Sequence, residues 1–432
     1  MGNPLRNNNP VVTTSVYTGN KQQVALDMLI EKYQTTRKLS EQIASLMTAE
    51  DMQLQSMPDA SPVKWHLAHT TWFFETFILM KVKGYQVFHE HFNVLFNSYY
   101  NSVGEQFRRP SRGVLSRPTV DEILAYRHYV DDAMCKYLEE DISGDAASII
   151  TLGINHEQQH QELILTDIKH AYSLNPMFPA LIQRQYTDGP AQPLKYISFD
   201  GGLCECGADA EGEFCFDNET PRHSVYVAPF KLASRPVTNR EYAEFISAGG
   251  YEDPLLWLSD GWARMKEKGN TGPAYWKQQD GKWFEFTLAG LQSLQPNAPV
   301  CHVNNFEACA YASWAGKRLS TEYEWELVAR DQLPEGNLLD LKVLHPQAAK
   351  HTGITQLFGD VWEWTSSAYN AYPGYKPARG ALGEYNSKFM VGQYVLRGGS
   401  CVTPPGHIRS TYRNFFYPHS DWQFSGIRLA SD

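Results

Sequence analysis

The sequence predicts a multidomain protein with an all-α N-terminal part and an α+β C-terminal part. Its 432 residues correspond to two or three domains at about 100–200 residues each. Apolar residues recur at helical spacing through the first 175 residues, whereas short alternating stretches with frequent Gly and Pro follow. Between the two parts, residues 176–193 contain four prolines and no clear periodicity. This segment is predicted to be a linker.

The N-terminal part is predicted to be a four-helix bundle over residues 21–175. Two of its helices have clear start signals. Ser61 and Pro62 fit an N-cap followed by proline at the first helical position. Thr119 and Glu122 fit a capping box. The predicted segments are a polar tail at 1–20, helices at 23–47, 61–83, 119–140 and 146–171, and a long connection at 84–118.

The C-terminal part, residues 194–432, is predicted to be a loop-rich α+β domain. Alternation of side chains predicts a strand at His223–Val227. Helical spacing is convincing in only two places, Asn239–Ala248 and Glu307–Ala315, with a third candidate at Thr321–Asp331. No internal repeat or low-complexity tract interrupts the domain.

Composition and charge exclude several classes of function. The formal net charge is −10, from 48 acidic and 38 basic residues, which argues against general binding to nucleic acid or to a membrane surface. No apolar run approaches the roughly 20 residues of a membrane helix. The seven cysteines include no Cys-x-x-Cys pair, so reduced thiols in the cytoplasm are expected.

A candidate metal site lies in the fourth predicted helix. His156 and His160 are four residues apart and therefore project from one helix face, where both imidazoles can reach one ion. The second predicted helix offers His66 and His69 as the source of a third ligand. Their spacing does not decide between them. Three neutral imidazoles with open positions suit Zn, Fe or Cu, and the spacing does not choose the metal.

A series of short motifs runs through the C-terminal half: Phe216–Glu219, Pro221–His223, Pro236–Asn239, Arg318–Glu322, Glu324–Glu326, Gly359–Trp364, Leu396–Ser400 and Gly426–Leu429. With these motifs the C-terminal half resembles the formylglycine-generating, C-type-lectin-like domain, and with its histidines the N-terminal half resembles a DinB-type bundle. The combination resembles the ergothioneine-pathway sulfoxide synthases (EgtB), non-haem iron enzymes that join a thiol to the imidazole of hercynine, trimethylhistidine, with O2.

The resemblance implies an Fe(II) site formed by His69, His156 and His160, with His66 as a neighbour. Gln159 matches a family glutamine that contacts the substrate imidazole, and an amide can bind a ring nitrogen without adding charge. Formylglycine-generating relatives use two cysteines shortly after the Arg-Gly-Gly-Ser element. Thr403 and Ile408 occupy those positions here, so cysteine-to-formylglycine chemistry is not expected.

The segment Tyr412–Phe416 resembles the family's hercynine-binding segment. It implies that Asn414 holds the hercynine carboxylate and that Phe415 and Phe416 face the trimethylammonium group, since aromatic faces attract a permanent cation. Relatives that use γ-glutamylcysteine carry Asp and Arg where this chain has Phe416 and Ser420. The missing charges favour L-cysteine as the thiol donor.

In the 84–118 connection, Arg109 and Arg112 best fit the family arginines that hold the carboxylate of the thiol donor. Tyr100 and Tyr99 lie on the same connection and are the predicted proton donors, with Tyr385 as the alternative.

Three other functions stay open at this point. One is an EgtB-type enzyme that uses γ-glutamylcysteine, and another is an ovothiol-type synthase that acts on histidine. The phenylalanine pair favours a quaternary ammonium over a free amine, and hence hercynine over histidine. The third is a lectin-like binding module whose bundle holds zinc structurally. It predicts a metal site without open positions.

Overall fold

The computed structural model describes residues 14–140 and 142–432, with side chains from residue 24 onward. Its N-terminal part is a helical bundle in which all four predicted helices are present, and a short fifth helix lies in the long connection. No helix in the described ranges is both long enough and apolar enough to cross a bilayer. The helices are α1 (Thr14–Ala44), α2 (Val63–Phe77), α3 (Phe92–Phe96), α4 (Val120–Leu138) and α5 (Gly144–Ser173).

The helix ends differ from the predictions where local sequence carries no signal. Helix α1 already begins inside the predicted polar tail, whose residues 1–13 lie outside the described residues. Helix α2 ends at Phe77, six residues before the predicted end at Lys83, although no Gly or Pro lies between Val63 and Lys83. The predicted cap at Ser61 is also wrong, because Pro62 holds the N-cap position and the Ser61 amide donates to Asp167. The capping box of Thr119 and Glu122 is confirmed.

The C-terminal part has the α+β architecture that the sequence predicts. The strands are β1 (Tyr196–Phe199), β2 (Gly202–Cys206), β3 (His223–Val227), β4 (Phe230–Ala233), β5 (Trp276–Gln279), β6 (Lys282–Thr287), β7 (Gly290–Ser293), β8 (Arg318–Leu319), β9 (Trp362–Ala368), β10 (Tyr394–Arg397), β11 (Asn414–Phe416), β12 (Ser425–Gly426) and β13 (Leu429–Ser431). They form two four-stranded sheets, in the orders β1-β4-β13-β8 and β11-β10-β9-β12, a ribbon of β2 and β3, and a three-stranded meander β5-β6-β7.

Four helices pack around these sheets, of which three were predicted. The missed helix is α7, which contains Gly261 and whose residues are mostly polar, so it lacks a clear apolar stripe. Gly261 is needed there because a Cβ atom would lie 2.6 Å from the side chain of Phe306. The helices are α6 (Asn239–Ser247), α7 (Ser259–Lys268), α8 (Asn305–Trp314) and α9 (Glu322–Ala329).

The predicted linker packs along the C-terminal domain as an extended strap. The Leu181 amide donates to the Leu288 carbonyl at 2.8 Å, and the Tyr186 hydroxyl donates to the Val343 carbonyl at 2.6 Å. These contacts satisfy backbone groups that no sheet partner reaches.

Helix α5 contacts both the bundle and the C-terminal domain. Its Glu162 carboxylate is buried in the second domain, where it accepts hydrogen bonds from Trp362 (2.7 Å), Ser400 (2.8 Å) and Thr403 (2.7 Å). Thr403 is one of the two positions compared above with the cysteines of formylglycine-generating relatives. Here its hydroxyl bonds the C-terminal domain to Glu162 of α5. The histidines of α5 consequently lie at the domain boundary.

Candidate metal centre and substrate cavity

Three buried histidines converge at this boundary. His69 comes from α2, whereas His156 and His160 lie one turn apart on α5. One ring nitrogen of each lies within 4.8 Å of the others. Burial lowers the pKa of all three imidazoles, that of His156 to about 3. They are therefore neutral at physiological pH, which is the form that binds a metal ion.

Hydrogen bonds orient two of the three rings so that a nitrogen faces the common centre. His69 donates from Nδ1 to the Phe96 carbonyl at 2.5 Å, which leaves Nε2 with its lone pair. Within the described residues, Nε2 of His69 and both ring nitrogens of His156 have no hydrogen-bond partner. Buried polar atoms without partners are rare in folded proteins. A metal ion at the centre would bind Nε2 of His69 and one of the two ring nitrogens of His156, so the residues present fit the group that the resemblance implies.

His66 supports His160 and does not point at the centre. Its Nε2 lies 3.1 Å from the Asp167 carboxylate, and its Nδ1 lies 2.7 Å from Nδ1 of His160. If Asp167 accepts the proton on Nε2 of His66, Nδ1 of His66 accepts the proton of His160. That tautomer leaves Nε2 of His160 as a ligand atom. Spacing left open whether His66 or His69 is the third ligand. The contacts of the two rings favour His69.

The glutamate of the His-Glu-x-x-His segment points away from the centre. Glu157 is fully buried between α1 and α4, where Arg37 donates to it at 2.7 Å, Ser40 at 2.6 Å, and Arg127 also donates. Burial alone would raise the pKa of Glu157, but the two arginines and the Ser40 hydroxyl lower it to about 2. The ionised Glu157 carboxylate therefore stabilises the packing of the bundle. In zinc proteases with this motif, by contrast, the glutamate is the general base.

A cavity of about 210 Å³ opens beside the histidines and is walled by both domains. It brings together most of the residues that the sequence and the resemblance indicate. None of the described residues that line it is an Asp or a Glu. The predicted site residues on its wall are His156, His160, Gln159, Tyr99, Arg109, Arg112, Asn414 and Phe415, together with the alternative Tyr385.

Arg112 is the buried cation of this cavity. The residue is only 2% exposed, and its guanidinium lies 3.4 Å from the ring centre of Trp65 and donates to the hydroxyls of Ser61 and Ser98. Burial, together with the neighbouring Arg109, lowers the pKa of Arg112 to about 9. No described carboxylate forms a salt bridge with it. A buried unpaired guanidinium is costly and is well suited to a ligand carboxylate.

Arg109 lies at the exposed mouth of the same cavity. Its guanidinium donates to the backbone carbonyl of Asp59. A third arginine, Arg413, also lines the wall, but its guanidinium is already bound by Glu322 at 2.8 and 3.1 Å. Arg112 and Arg109 are therefore the cations that remain for a ligand.

Gln159 is held between two tyrosines. Its amide nitrogen donates to the Tyr412 hydroxyl at 2.7 Å, and its carbonyl oxygen accepts from the Tyr385 hydroxyl. The Tyr412 hydroxyl also lies 3.2 Å from His407, whose pKa burial lowers to about 3. This chain of polar groups fixes the amide beside the ligand histidines. Sequence reasoning singled out Gln159 but missed His407.

Strand β11 separates the two phenylalanines that were expected to face one ligand. Successive residues of a strand point to opposite faces. Phe415 lines the cavity and stacks on Tyr369 with 4.0 Å between ring centres, whereas Phe416 packs toward Trp422 and is absent from the cavity wall. Asn414, the first residue of β11, also contributes to the cavity lining although alternation places it on the face of Phe416, and its side-chain amide oxygen accepts from the Phe415 amide at 2.9 Å. The expected pair of rings is thus reduced to one.

The three candidate tyrosines occupy different depths. Tyr385 is the nearest to the ligands, with its ring centre 5.6 Å from that of His156, and it lines the cavity. Tyr99 lines the cavity as well and packs 6.2 Å from Tyr385. Tyr100 is fully buried behind Tyr99, against Trp72, and does not line the cavity. The position of Tyr100 corrects the expectation that it reaches the reacting atoms.

Comparison with known proteins agrees with this two-domain site. The DinB superfamily model matches residues 32–164, and the sulfatase-modifying factor enzyme 1-like domain matches residues 185–345 and 341–432. A hercynine oxygenase of Mycolicibacterium smegmatis is 31% identical over 95% of this chain and 100% of its own length. The chain belongs to the hercynine oxygenase family.

Two further relatives match a smaller share of this chain. A hercynine oxygenase of Mycobacterium tuberculosis is 33% identical over 66% of this chain and 71% of its own length. A formylglycine-generating enzyme of Thermomonospora curvata is 29% identical over 40% of this chain and 72% of its own length.

Proposed function

We propose that this protein is a non-haem Fe(II)-dependent hercynylcysteine sulfoxide synthase of ergothioneine biosynthesis. The observation that carries the proposal is the group of three neutral histidines, of which His156 and His160 line a cavity with one buried unpaired guanidinium and an aromatic wall. The relatives named hercynine oxygenase support the same reaction class. The overall change joins the C–H of the hercynine imidazole and the S–H of cysteine with O2 to give a C–S bond, a sulfoxide oxygen and one water.

We propose that His69, His156 and His160 hold Fe(II), which supplies the activation of O2. Metal-bound thiols lose their proton readily, so the same centre suits a thiolate donor. Three protein ligands leave coordination positions open, whereas structural zinc sites are almost always closed by four. No fourth histidine, cysteine or carboxylate belongs to the group in the described residues, which argues against the zinc-stabilised lectin-like module.

The cavity residues receive distinct roles in this proposal. Arg112, assisted by Arg109 at the mouth, binds the carboxylate of the thiol donor. Asn414 binds the hercynine carboxylate, and Phe415 contacts the trimethylammonium group, where a ring face contributes about 0.5–2 kcal/mol. Gln159 orients the imidazole.

The proton that reduced oxygen requires comes from a tyrosine hydroxyl of the cavity wall. Tyr385 is favoured for this role because its hydroxyl is bound to Gln159 and its ring lies beside His156. Tyr99 is the second candidate. Burial raises the pKa of both tyrosines, so each keeps its proton at physiological pH.

L-cysteine is the proposed thiol donor. Of the three arginines on the cavity wall, Arg413 is neutralised by Glu322, which leaves Arg112 and Arg109 together for one donor carboxylate. γ-Glutamylcysteine would bring a second carboxylate. The unpaired state of all seven cysteines supports the further proposal that the protein works in the cytoplasm.

The proposal is tested by anaerobic loading with Fe(II), followed by O2 uptake and product mass with four substrate pairs. Hercynine or histidine is combined with cysteine or γ-glutamylcysteine. The expected result is a sulfoxide adduct from hercynine and cysteine. If adduct forms with γ-glutamylcysteine but not with cysteine, the proposal of L-cysteine as the donor is contradicted. If adduct forms with histidine but not with hercynine, the ovothiol-type reaction is favoured. No thiol-dependent uptake in iron-loaded protein would support the binding module.

A further inference from the structure

Two loops from different domains meet at the edge of the cavity. The tyrosine loop, residues 97–105, belongs to the bundle and carries Tyr99. The lid segment, residues 380–389, belongs to the C-terminal domain and carries Tyr385. Their aromatic rings meet, since Tyr99 packs 6.2 Å from Tyr385 and 5.6 Å from Phe389. Both proposed proton donors therefore depend on how these two loops are held.

A single carboxylate joins the loops. Glu384 of the lid segment accepts from the Asn101 amide at 3.0 Å, the Ser102 amide at 2.9 Å and the Ser102 hydroxyl at 2.6 Å. The adjacent Lys388 lies 3.1 Å from the same carboxylate and also donates to the Tyr99 carbonyl. These contacts connect positions more than 280 residues apart in the sequence.

The lid segment also separates two cavities. Tyr385 and Asn386 line the cavity beside the histidines, and they line a second cavity of about 580 Å³ that is walled on the other side by the first turns of α5. Glu384 itself lines neither cavity. The Glu384 carboxylate therefore lies outside both cavities. Its hydrogen-bond partners include none of the candidate metal-ligand or substrate-binding residues.

We propose that Glu384 is a positioning residue that clamps the tyrosine loop to the lid segment and so holds Tyr99 and Tyr385 at the edge of the histidine site. The inference rests on the proposed function for its catalytic consequence, but the clamp itself is a property of the two loops. Hydrogen bonds to a charged acceptor are about twice as strong as neutral ones. Partial burial would raise the pKa of Glu384, but hydrogen bonds from Ser102, Asn101 and Lys388 outweigh it and lower the pKa to about 2, so Glu384 stays ionised at physiological pH.

The clamp is tested with Glu384→Ala, the conservative Glu384→Gln, and Glu267→Ala as a matched control at an exposed carboxylate of α7. Amide hydrogen exchange of the iron-free protein is measured at residues 98–104. We expect Glu384→Ala to speed exchange at Asn101 and Ser102 by about tenfold or more. Glu384→Gln should be intermediate, because its carbonyl still accepts from Ser102. Glu267→Ala should match the wild type.

Steady-state kinetics and Fe(II) binding complete the test. Glu384→Ala should lower kcat by about tenfold or more with a smaller change in KM for cysteine, because the tyrosines move while Arg112 does not. Fe(II) affinity should stay within about twofold, because the clamp contacts no histidine.

Unchanged exchange in Glu384→Ala would overturn the clamp. Faster exchange with unchanged kcat would overturn its positioning role. An inactive wild type would count against the proposed reaction, and the exchange result would still decide whether Glu384 holds the loops.

Discussion

Replacement of Glu157 by glutamine tests whether the glutamate of the His-Glu-x-x-His segment serves stability or chemistry. The side chain is fully buried, and all its hydrogen bonds come from Arg37, Arg127 and Ser40. Removing one charge of a buried ion pair costs about 3–5 kcal/mol when the other charge loses its partner. Arg37 keeps Asp131 at 2.6 Å and Arg127 keeps Glu41 at 3.3 Å, so the lower end of this range is expected. The drop in the pKa of Glu157 from 4.5 to about 2 corresponds to a similar loss of about 3 kcal/mol.

The assay is urea unfolding of the iron-free full chain, followed by far-UV circular dichroism of the helical transition. At pH 7 we expect Glu157→Gln to lower the free energy of unfolding by about 3 kcal/mol or more, whereas Glu31→Gln, an exposed change on α1, should be close to neutral. Because the folded pKa is depressed, the stabilisation is complete above about pH 4.5 and is lost as the pH falls toward 2. The difference between wild type and Glu157→Gln should narrow over that range.

One result would refute this reasoning about Glu157. A loss of stability below about 1 kcal/mol, combined with a large fall in the turnover of iron-loaded protein, would mean that the carboxylate acts at the metal as in zinc proteases.

Three further predictions concern the metal centre and the cavity. His66→Leu should weaken Fe(II) binding by about 10–100-fold, measured by competition titration with a chelator, because the hydrogen bond that orients His160 is lost. Unchanged affinity would contradict the idea that His66, held by Asp167, orients His160. Arg112→Met should raise KM for cysteine by about tenfold or more with little effect on Fe(II) binding, and an unchanged KM would remove Arg112 from the thiol site. Tyr385→Phe should lower the rate of adduct formation by about 100-fold or more, whereas Tyr100→Phe should stay within a few-fold; the opposite order in product mass assays would restore Tyr100 as the proton donor.

The parts of the fold that could be predicted are those fixed by neighbouring residues. The capping box of Thr119 and Glu122 marks the start of α4 because both partners lie within one turn. The shared face of His156 and His160 follows from helical geometry alone. The end of α2 and the existence of α7 could not be predicted from local sequence. No Gly or Pro marks the end of α2, and α7 has no clear apolar stripe, while its Gly261 packs against Phe306, which lies far away in the sequence.

The same limit applies to the site. His66 and His69 share a helix face, and only the distant Asp167 and the Phe96 carbonyl show that they bind differently. Adjacent phenylalanines indicated an aromatic wall, but the alternation of β11 sends Phe416 away from the cavity. A closer use of strand alternation could have found this separation from the sequence. The clamp formed by Glu384 had no local signal, since its partners come from the other domain.

The central proposal is that His69, His156 and His160 would hold Fe(II) and that the protein so loaded would join hercynine and cysteine with O2 into a sulfoxide adduct. The most direct test is product mass after reaction of iron-loaded protein with hercynine, cysteine and ¹⁸O-labelled O2. The account predicts one adduct that carries one ¹⁸O atom on sulfur and is absent from His69→Ala protein. Oxidised cysteine without a C–S adduct, or an adduct whose oxygen comes from water, would contradict it.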